Sequence, residues 1–259
     1  MNIQPPKLLK ILLIGDSCED IYHYGVCERI SPEAAVPIMK ALRTSATPGM
    51  SANVLLNLLM FDLQVEHITN KNKIIKHRFI DERYNQHLLR YDAGEAIPIE
   101  SLDLELLDPK DKYDAVIISD YDKGFLRESD CEYICEMFKD TPLFVDTKKN
   151  NLTCFNNCVI KINEKEFENI REHPINSEFV VTLGDRGTLY NKTIFKTDPI
   201  EVFDVCGAGD VFLAGLVYGF LTFGSMENSI MLANRCARIS VSKMGTYVLT
   251  EKDLDDLHL

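Results

Sequence analysis

The sequence is short of positive charge: 28 Lys and Arg stand against 40 Asp and Glu, a formal net charge of −12 over 259 residues. That imbalance argues against sequence-independent binding to nucleic acid or to an anionic membrane surface, which both need an excess of cations. An anionic small molecule stays open, because a basic pocket fits inside an acidic surface. Long apolar runs are missing too. The run Leu8 to Ile14 is broken by Lys10 and stopped by Gly15-Asp16, too short for a membrane span or a secretory signal. It reads as a buried first strand. A Gly-x-Gly-x-x-Gly fingerprint is absent after it, since Gly15-Asp16-Ser17 offers one glycine, which argues against a dinucleotide-dependent dehydrogenase. No internal repeat, low-complexity segment or flexible linker is visible. The remainder is 46% hydrophobic and 26% charged, a globular composition long enough for one large α/β domain. With no export signal in view, the eight cysteines read as reduced thiols of a cytoplasmic protein. Cys131, Cys135, Cys154 and Cys158 have spacings a zinc site can use, but the first two fall on an amphipathic helix pattern where small buried residues are common.

The chain is organised around Asp204-Val205-Cys206-Gly207-Ala208-Gly209-Asp210. Glycines and a small residue allow a tight turn, and the apolar run Val211 to Leu221 that follows predicts a buried helix. Free N–H groups and the positive end of the helix dipole would then gather at Gly207, Ala208 and Gly209, which suits an anion, above all phosphate. Asp210 opposes simple phosphate binding by repulsion. It makes sense as a base that takes a proton from an alcohol attacking phosphorus. A plain glycine-rich turn with an acidic first helical turn explains the same residues equally well.

In chain order, Asp16 and Asp20 follow the first strand, where open α/β sheets bind ligands and where carboxylates can accept bonds from sugar hydroxyls. Ile21 to Gly25 and Ala35 to Leu42 read as short strands joined around Ser31-Pro32-Glu33, too close together for a βαβ unit and suited to a flap. Pro48 to Asn53 reads as a tight turn feeding a helix over Val54 to Phe61, with Asn53 able to bond a ligand hydroxyl. A strand over Gln64 to Ile68 follows. Ile74 to Ile80 and His87 to Tyr91 form a second strand pair, rich in Lys76, His77, Arg78, Arg83 and Arg90. Residues 96–112 read as an acidic connection with one short helix. Four buried runs then stop at polar sets: Ala115 to Ile118 at Asp120, Leu143 to Val145 at Asp146, Val159 to Ile162 at Asn163, and Phe179 to Thr182 at Gly184. Helical patterns lie between several of them, including Glu128 to Lys139. That recurrence predicts a parallel sheet with an active edge at its strand ends. Thr188 to Tyr190 reads as a returning hairpin strand, Met226 to Ser242 as a helix and Glu251 to Leu259 as a surface helix. We expect one domain over 1–259, with lid strands at about 20–42 and 74–92.

Asp204 to Asp210 is similar to the D-T-x-G-A-G-D signature of the ribokinase-like, or PfkB, carbohydrate kinases. Gly15-Asp16, Arg29 to Ala34, Pro48-Gly49, Ala52 to Val54, Leu88 to Asp92, Ser119 to Tyr121 and Lys123-Gly124 resemble the branch of that family acting on D-glycero-D-manno-heptose 7-phosphate at C1. The resemblance implies a three-layer α/β/α domain with a mainly parallel central sheet and a β-strand lid, using ATP and Mg2+. It implies that Asp210 is the base and that Gly207, Ala208 and Gly209 form the anion hole. Asn163 and Glu166 match an N-x-x-E motif that organises Mg2+ and phosphates, partly through water; Asp146 and Lys148 match a D-P-K element near the phosphates. Asp16, Asp20, Gly49 and Asn53 match sugar-binding positions. Gly184 and Gly187 would lie near the nucleotide, and Asn234 and Gly245 at the adenine. A substrate phosphate would need a cation, for which Arg78, Arg83, Arg90 and Lys123 are candidates; Asp120 would stand among the substrate-side residues. The lid often builds a homodimer in this family. Met50 departs from the pattern by replacing a second glycine, and segments 95–113 and 166–178 look short. None of the six His forms the H-x-G-H of an adenylyltransferase, so the resemblance implies the kinase step alone.

Overall fold

Each long apolar run of the sequence becomes a strand or helix whose alternate faces are buried. The computed structural model describes residues 8–95, 98–108 and 112–258. In chain order the elements are β1 (Lys10–Gly15), β2 (Ser17–Ile30), β3 (Pro37–Met50), α1 (Ser51–Met60), β4 (Gln64–Thr69), β5 (Ile75–Asp81), β6 (Gln86–Ala93), β7 (Ala115–Asp120), α2 (Glu128–Met137), β8 (Leu143–Thr147), β9 (Val159–Asn163), α3 (Glu164–Glu168), β10 (Glu178–Thr182), β11 (Thr188–Tyr190), β12 (Thr193–Phe195), α4 (Ala208–Phe223), α5 (Met226–Val241) and α6 (Glu251–Leu257).

Eight strands form one sheet in the order β12-β11-β10-β9-β8-β7-β1-β4. The pairs from β4 across to β10 are parallel, and β10, β11 and β12 are antiparallel. Strand residues alternate between two cores because side chains alternate across a pleat. Ile11, Leu13 and Ile117 pack with α1, α4 and α5. Leu12, Ile14, Val116 and Ile118 pack on the other face with Ile134 of α2 and with Leu102, Leu152 and Phe155 from connecting segments. This is the three-layer α/β/α arrangement, with the second helical layer reduced to α2 and loops.

The lid is a separate four-stranded sheet, β3-β2-β5-β6. Its strands correct the sequence reading. They run over Ser17–Ile30 and Pro37–Met50, 14 residues each, with the bend at 31–36. Pro48 and Gly49 are not a loop but the end of β3, because they pair with Glu19 and Cys18 across the sheet. Met50 is the joint between β3 and α1, at φ 58 and ψ −136, a positive-φ conformation unusual for a bulky residue. Only residues 70–74 connect β4 to β5. The connection after β6 carries a single 3-10 turn, Leu104–Leu106; residues 96–97 and 109–111 of the expected segment, Pro109 among them, lie outside the described residues.

The four cysteines with zinc-like spacing face one another in pairs beneath α2, with Cys135 Sγ 3.4 Å from Cys158 Sγ. All eight cysteines are free, and among the described residues no group of three His, Cys, Asp or Glu could hold a metal.

Candidate active site

The C-terminal ends of β1, β7, β8 and β9 meet the N-terminus of α4, and the lid closes over the same edge. Asp16 is the single residue between β1 and β2. Gly15 allows β1 to lie against β7 there, because a Cβ would stand 2.0 Å from the Ser119 carbonyl oxygen. The Asp16 carboxylate accepts the Tyr121 N–H at 2.8 Å through Oδ2, while its buried Oδ1 has no partner. Burial, then the charge of Asp120, pushes Asp16 up to about 6. An ionisable oxygen without a donor is costly when buried. A sugar hydroxyl would supply that donor.

Further along β2, Asp20 accepts Arg78 Nη2 at 2.9 Å and Nε at 3.2 Å, a buried ion pair inside the lid. Gly49 stands opposite, where a Cβ would lie 2.2 Å from Asp20 Oδ2. Burial works against the Arg78 charge, but Asp20 overrides it and holds the guanidinium firmly protonated.

Asp210 lies in the first turn of α4 and is 1% exposed. Gly207 caps the helix at φ 73 with no side-chain hydrogen bond, and a Cβ on it would come 2.7 Å from Asn53 Nδ2. Glycine is required there on both counts. The Ala208 N–H reaches the Val205 carbonyl at 3.3 Å and the Asp210 N–H the Gly207 carbonyl at 3.0 Å, so the turn is partly self-satisfied. Asp204 locks it from below, accepting the N–H groups of Cys206 and Gly245. The Asp210 carboxylate takes one bond on each oxygen: Tyr121 O–H donates to Oδ1 at 2.7 Å and Asn53 Nδ2–H to Oδ2 at 3.1 Å. Burial pushes Asp210 up to about 6 against those two bonds, with Asp146 adding to the rise and Lys161 opposing it. At neutral pH it is ionised yet basic enough to accept a proton.

Next to this turn is a cavity of about 620 Å3, lined by Asp146, Lys148, Lys161, Asn163, Gly184, Gly187, Gly207, Ala208, Gly209 and Asn234 among others. Its size suits a nucleotide. Lys161 Nζ pairs with Asp146 Oδ2 at 2.6 Å, both buried, and a Cβ on Gly209 would lie 2.7 Å from that same ammonium. Lys148 Nζ bonds Glu166 Oε1 at 2.5 Å. Burial lowers the Lys148 proton affinity, but Asp146 and Glu166 more than reverse this and raise it. Two ammonium groups therefore stand beside the turn, each paired with a carboxylate.

The structure places other sequence candidates differently. Asn163 and Glu166 cap α3 reciprocally, Asn163 Oδ1 accepting the Glu166 N–H and Glu166 Oε2 the Asn163 N–H, both at 2.9 Å. Asn234 reaches the cavity wall but spends its amide on Thr188 Oγ1 and the Phe195 carbonyl, tying the β11–β12 hairpin to α5. Gly245 is outside the cavity lining; it sits under the Tyr22 ring of the lid, where a Cβ would come within 3.0 Å of Cζ. The Asp120 carboxylate is taken by Thr147 Oγ1, Lys149 Nζ and the Asp122 N–H. Arg90 pairs with Asp92, Lys123 with Glu95, and Arg83 with Asp81 at the outer end of the lid.

Three residues went unrecognised as site members in the sequence: Tyr121, Lys161 and Lys76. Lys161 carries a readable signal, a charge inside the apolar run Val159–Asn163. Lys76 is a buried lid lysine whose ammonium stands 5.4 Å from the Tyr121 ring centre. Tyr121 carries no such signal, because a tyrosine after a strand is ordinary.

A magnesium ion is tested by its oxygen donors. Asp146 Oδ1 is buried without a hydrogen bond, with the Lys148 ammonium 3.8 Å away, and Asn163 and Glu166 lie at the adjacent strand end. With two of these three already hydrogen-bonded to one another, the set fits a hydrated ion brought in by nucleotide phosphates, a hard cation that keeps its waters.

The fold is ribokinase-like. Ribokinase of Thermotoga maritima superposes at a TM-score of 0.71 with 15% identity, over 97% of this chain and 99% of that one. Phosphofructokinase-2 of Escherichia coli does so at 0.74 with 13% identity, over 97% and 98%. Residues 158–253 match the pfkB family carbohydrate kinase description. The bifunctional protein HldE of Hydrogenovibrio crunogenus is 30% identical over 99% of this chain, and that of Campylobacter jejuni strain RM1221 is 30% identical over 92%. The chain covers 64% and 62% of the length of these relatives. The chain resembles the pfkB carbohydrate kinases.

Proposed function

We propose that the protein is an ATP-dependent sugar kinase, with C1 of D-glycero-D-manno-heptose 7-phosphate as the favoured acceptor. The observation that carries this reading is the position of Asp210. Its ionisable oxygens sit between a nucleotide-sized cavity walled by Gly207, Ala208 and Gly209 and the sugar-side carboxylates Asp16 and Asp20. Asp210 takes the proton of the acceptor hydroxyl as that oxygen forms its bond to the γ-phosphorus, and the bond from phosphorus to the β-bridging oxygen breaks. The α4 N-terminus, Lys148 and Lys161 offset charge on the transferred group, which is where phosphoryl transfer gains most. Magnesium, held through Asp146, Asn163 and Glu166, would supply further charge neutralisation to the phosphates. Asp16, Asp20 and Asn53 orient the sugar, and Arg78, Arg90 or Lys123 would meet a substrate phosphate from the lid side.

The heptose assignment rests on the front half of the chain, from Gly15 to Asp92, and on the HldE relatives. A kinase for another sugar or sugar phosphate shares every feature of the core edge. We assign the lid strands, which expose Leu42, Leu89 and Tyr91, to a homodimer in the cytoplasm. ADP release is to be measured by a coupled assay over a panel of sugars and sugar phosphates. Release dependent on heptose 7-phosphate supports the reading. Release with a different sugar moves the substrate assignment, and release with none leaves a sugar- or nucleotide-binding protein without transfer.

A further inference from the structure

Tyr121 is the residue through which the two halves of the site touch. It follows β7, and its backbone N–H is fixed on Asp16 Oδ2 at 2.8 Å. Its phenol reaches across to Asp210 Oδ1 at 2.7 Å. Two ammonium groups, Lys76 of the lid and Lys148 of the cavity, each stand 5.4 Å from its ring centre. The ring also lines the nucleotide cavity. No other described side chain bonds Asp210 besides Asn53.

We infer that Tyr121 is a positioning residue for Asp210, holding one carboxylate oxygen so that the other lone pairs face the acceptor hydroxyl, and that it sets the pH at which the base becomes active. This deepens the proposed kinase reading and rests on it for its kinetic consequence. A short bond from a neutral phenol to a carboxylate favours the ionised form and fixes its rotamer. The groups facing Asp210 are Tyr121 beyond β7, Asp146 of β8, Lys148 beyond it, Lys161 of β9, Cys18 of β2 and the Asn53 amide of α1. Of the two groups bonding the carboxylate directly, Tyr121 heads the causes that keep its proton affinity down. Burial and Asp210 together make Tyr121 itself hard to ionise, so it stays a donor through the working pH range.

The test uses Tyr121→Phe, which keeps the ring and its lysine contacts and removes only the hydroxyl; an unchanged melting temperature within a few degrees certifies the fold. The acid limb of kcat/KM for the sugar is expected to move to higher pH by about half to one unit, with kcat falling about tenfold and the KM for ATP little changed. A merely structural role would lower activity without moving the limb, and that result overturns the inference. Carbon-13 NMR of the aspartate carboxyls gives a readout that does not need turnover, with the Asp210 signal identified by its loss in Asp210→Asn. Its midpoint is expected to rise in Tyr121→Phe by the same amount, and an unmoved midpoint overturns the inference even if the wild-type protein releases no ADP with any sugar. In that last case the kinase reading fails separately, while the titration still decides the role of Tyr121.

Discussion

The two sheets hold charge in opposite ways. In the eight-stranded sheet the buried carboxylates Asp120 and Asp146 lie at or near the ends of β7 and β8, and Lys161 is the one buried lysine within a strand. Both faces of that sheet are covered, so a charge in mid-strand needs a buried partner, which Lys161 finds in Asp146 at 2.6 Å. In the lid the buried charges are spread along the strands: Asp20 and Arg78 lie inside β2 and β5, Lys76 next to the start of β5 and Asp81 at its end. The difference teaches a division of labour. On the proposed kinase reading, the core edge would hold a fixed set of groups around one base, and the charged lid would select the acceptor.

The first way to break this comparison is at the core edge. Asp210→Asn is expected to reduce transfer by about 10³-fold while nucleotide affinity stays within a few fold, measured by ADP release and by titration with ATP. The same substitution is expected to raise stability at pH 7. Asp210 has its pKa raised to about 6, so the folded state is favoured most below the ordinary carboxylate range and loses that advantage as pH rises through about 6. Removing the charge should therefore stabilise the protein above pH 6, by about 1 to 3 kcal/mol, and reduce the slope of the stability profile between about pH 4 and 6 to that left by Asp16, also raised to about 6; urea denaturation at both ends of that window checks it.

A smaller effect is expected on the lid side. Arg78→Leu leaves Asp20 buried and uncompensated, and should raise the KM for the sugar by about ten- to a hundredfold with the KM for ATP unchanged. An equal rise in both constants would erase the distinction between the two sheets. The smallest effect lies at the hinge between them. Met50→Gly relieves a strained positive-φ residue, worth about 1 kcal/mol, but removes a buried side chain packed on Cys18 and Ile74, worth about 2 kcal/mol. A net loss of about 1 kcal/mol is expected by chemical denaturation, with a sugar KM that changes little.

The same contrast explains what was legible in the sequence. The core strands announce themselves, because a strand buried on both faces must be an unbroken apolar run such as Val116 to Ile118. The Gly207 to Asp210 turn is equally plain, since only small residues tolerate its geometry. Lid strands are harder to bound. Their outward positions are polar, and Pro48 near the end of β3 imitates a turn although a strand end tolerates it. Roles were less legible than positions. Asn163 and Glu166 read as ligand contacts, yet their spacing of three is also that of a capping box, and the structure uses it so. Asp120 reads like Asp146, but Thr147 and Lys149 engage it, a pairing that only the parallel register of β7 and β8 creates. Tyr121 could not be found at all, because its importance comes from the partner 89 residues away.

The most direct test of the account is phosphorus-31 NMR of the wild-type protein with magnesium ATP and D-glycero-D-manno-heptose 7-phosphate. Stoichiometric ADP is expected together with a new sugar-bound phosphate signal coupled to the anomeric proton. ATP left intact, or inorganic phosphate released with no new sugar phosphate, would contradict it.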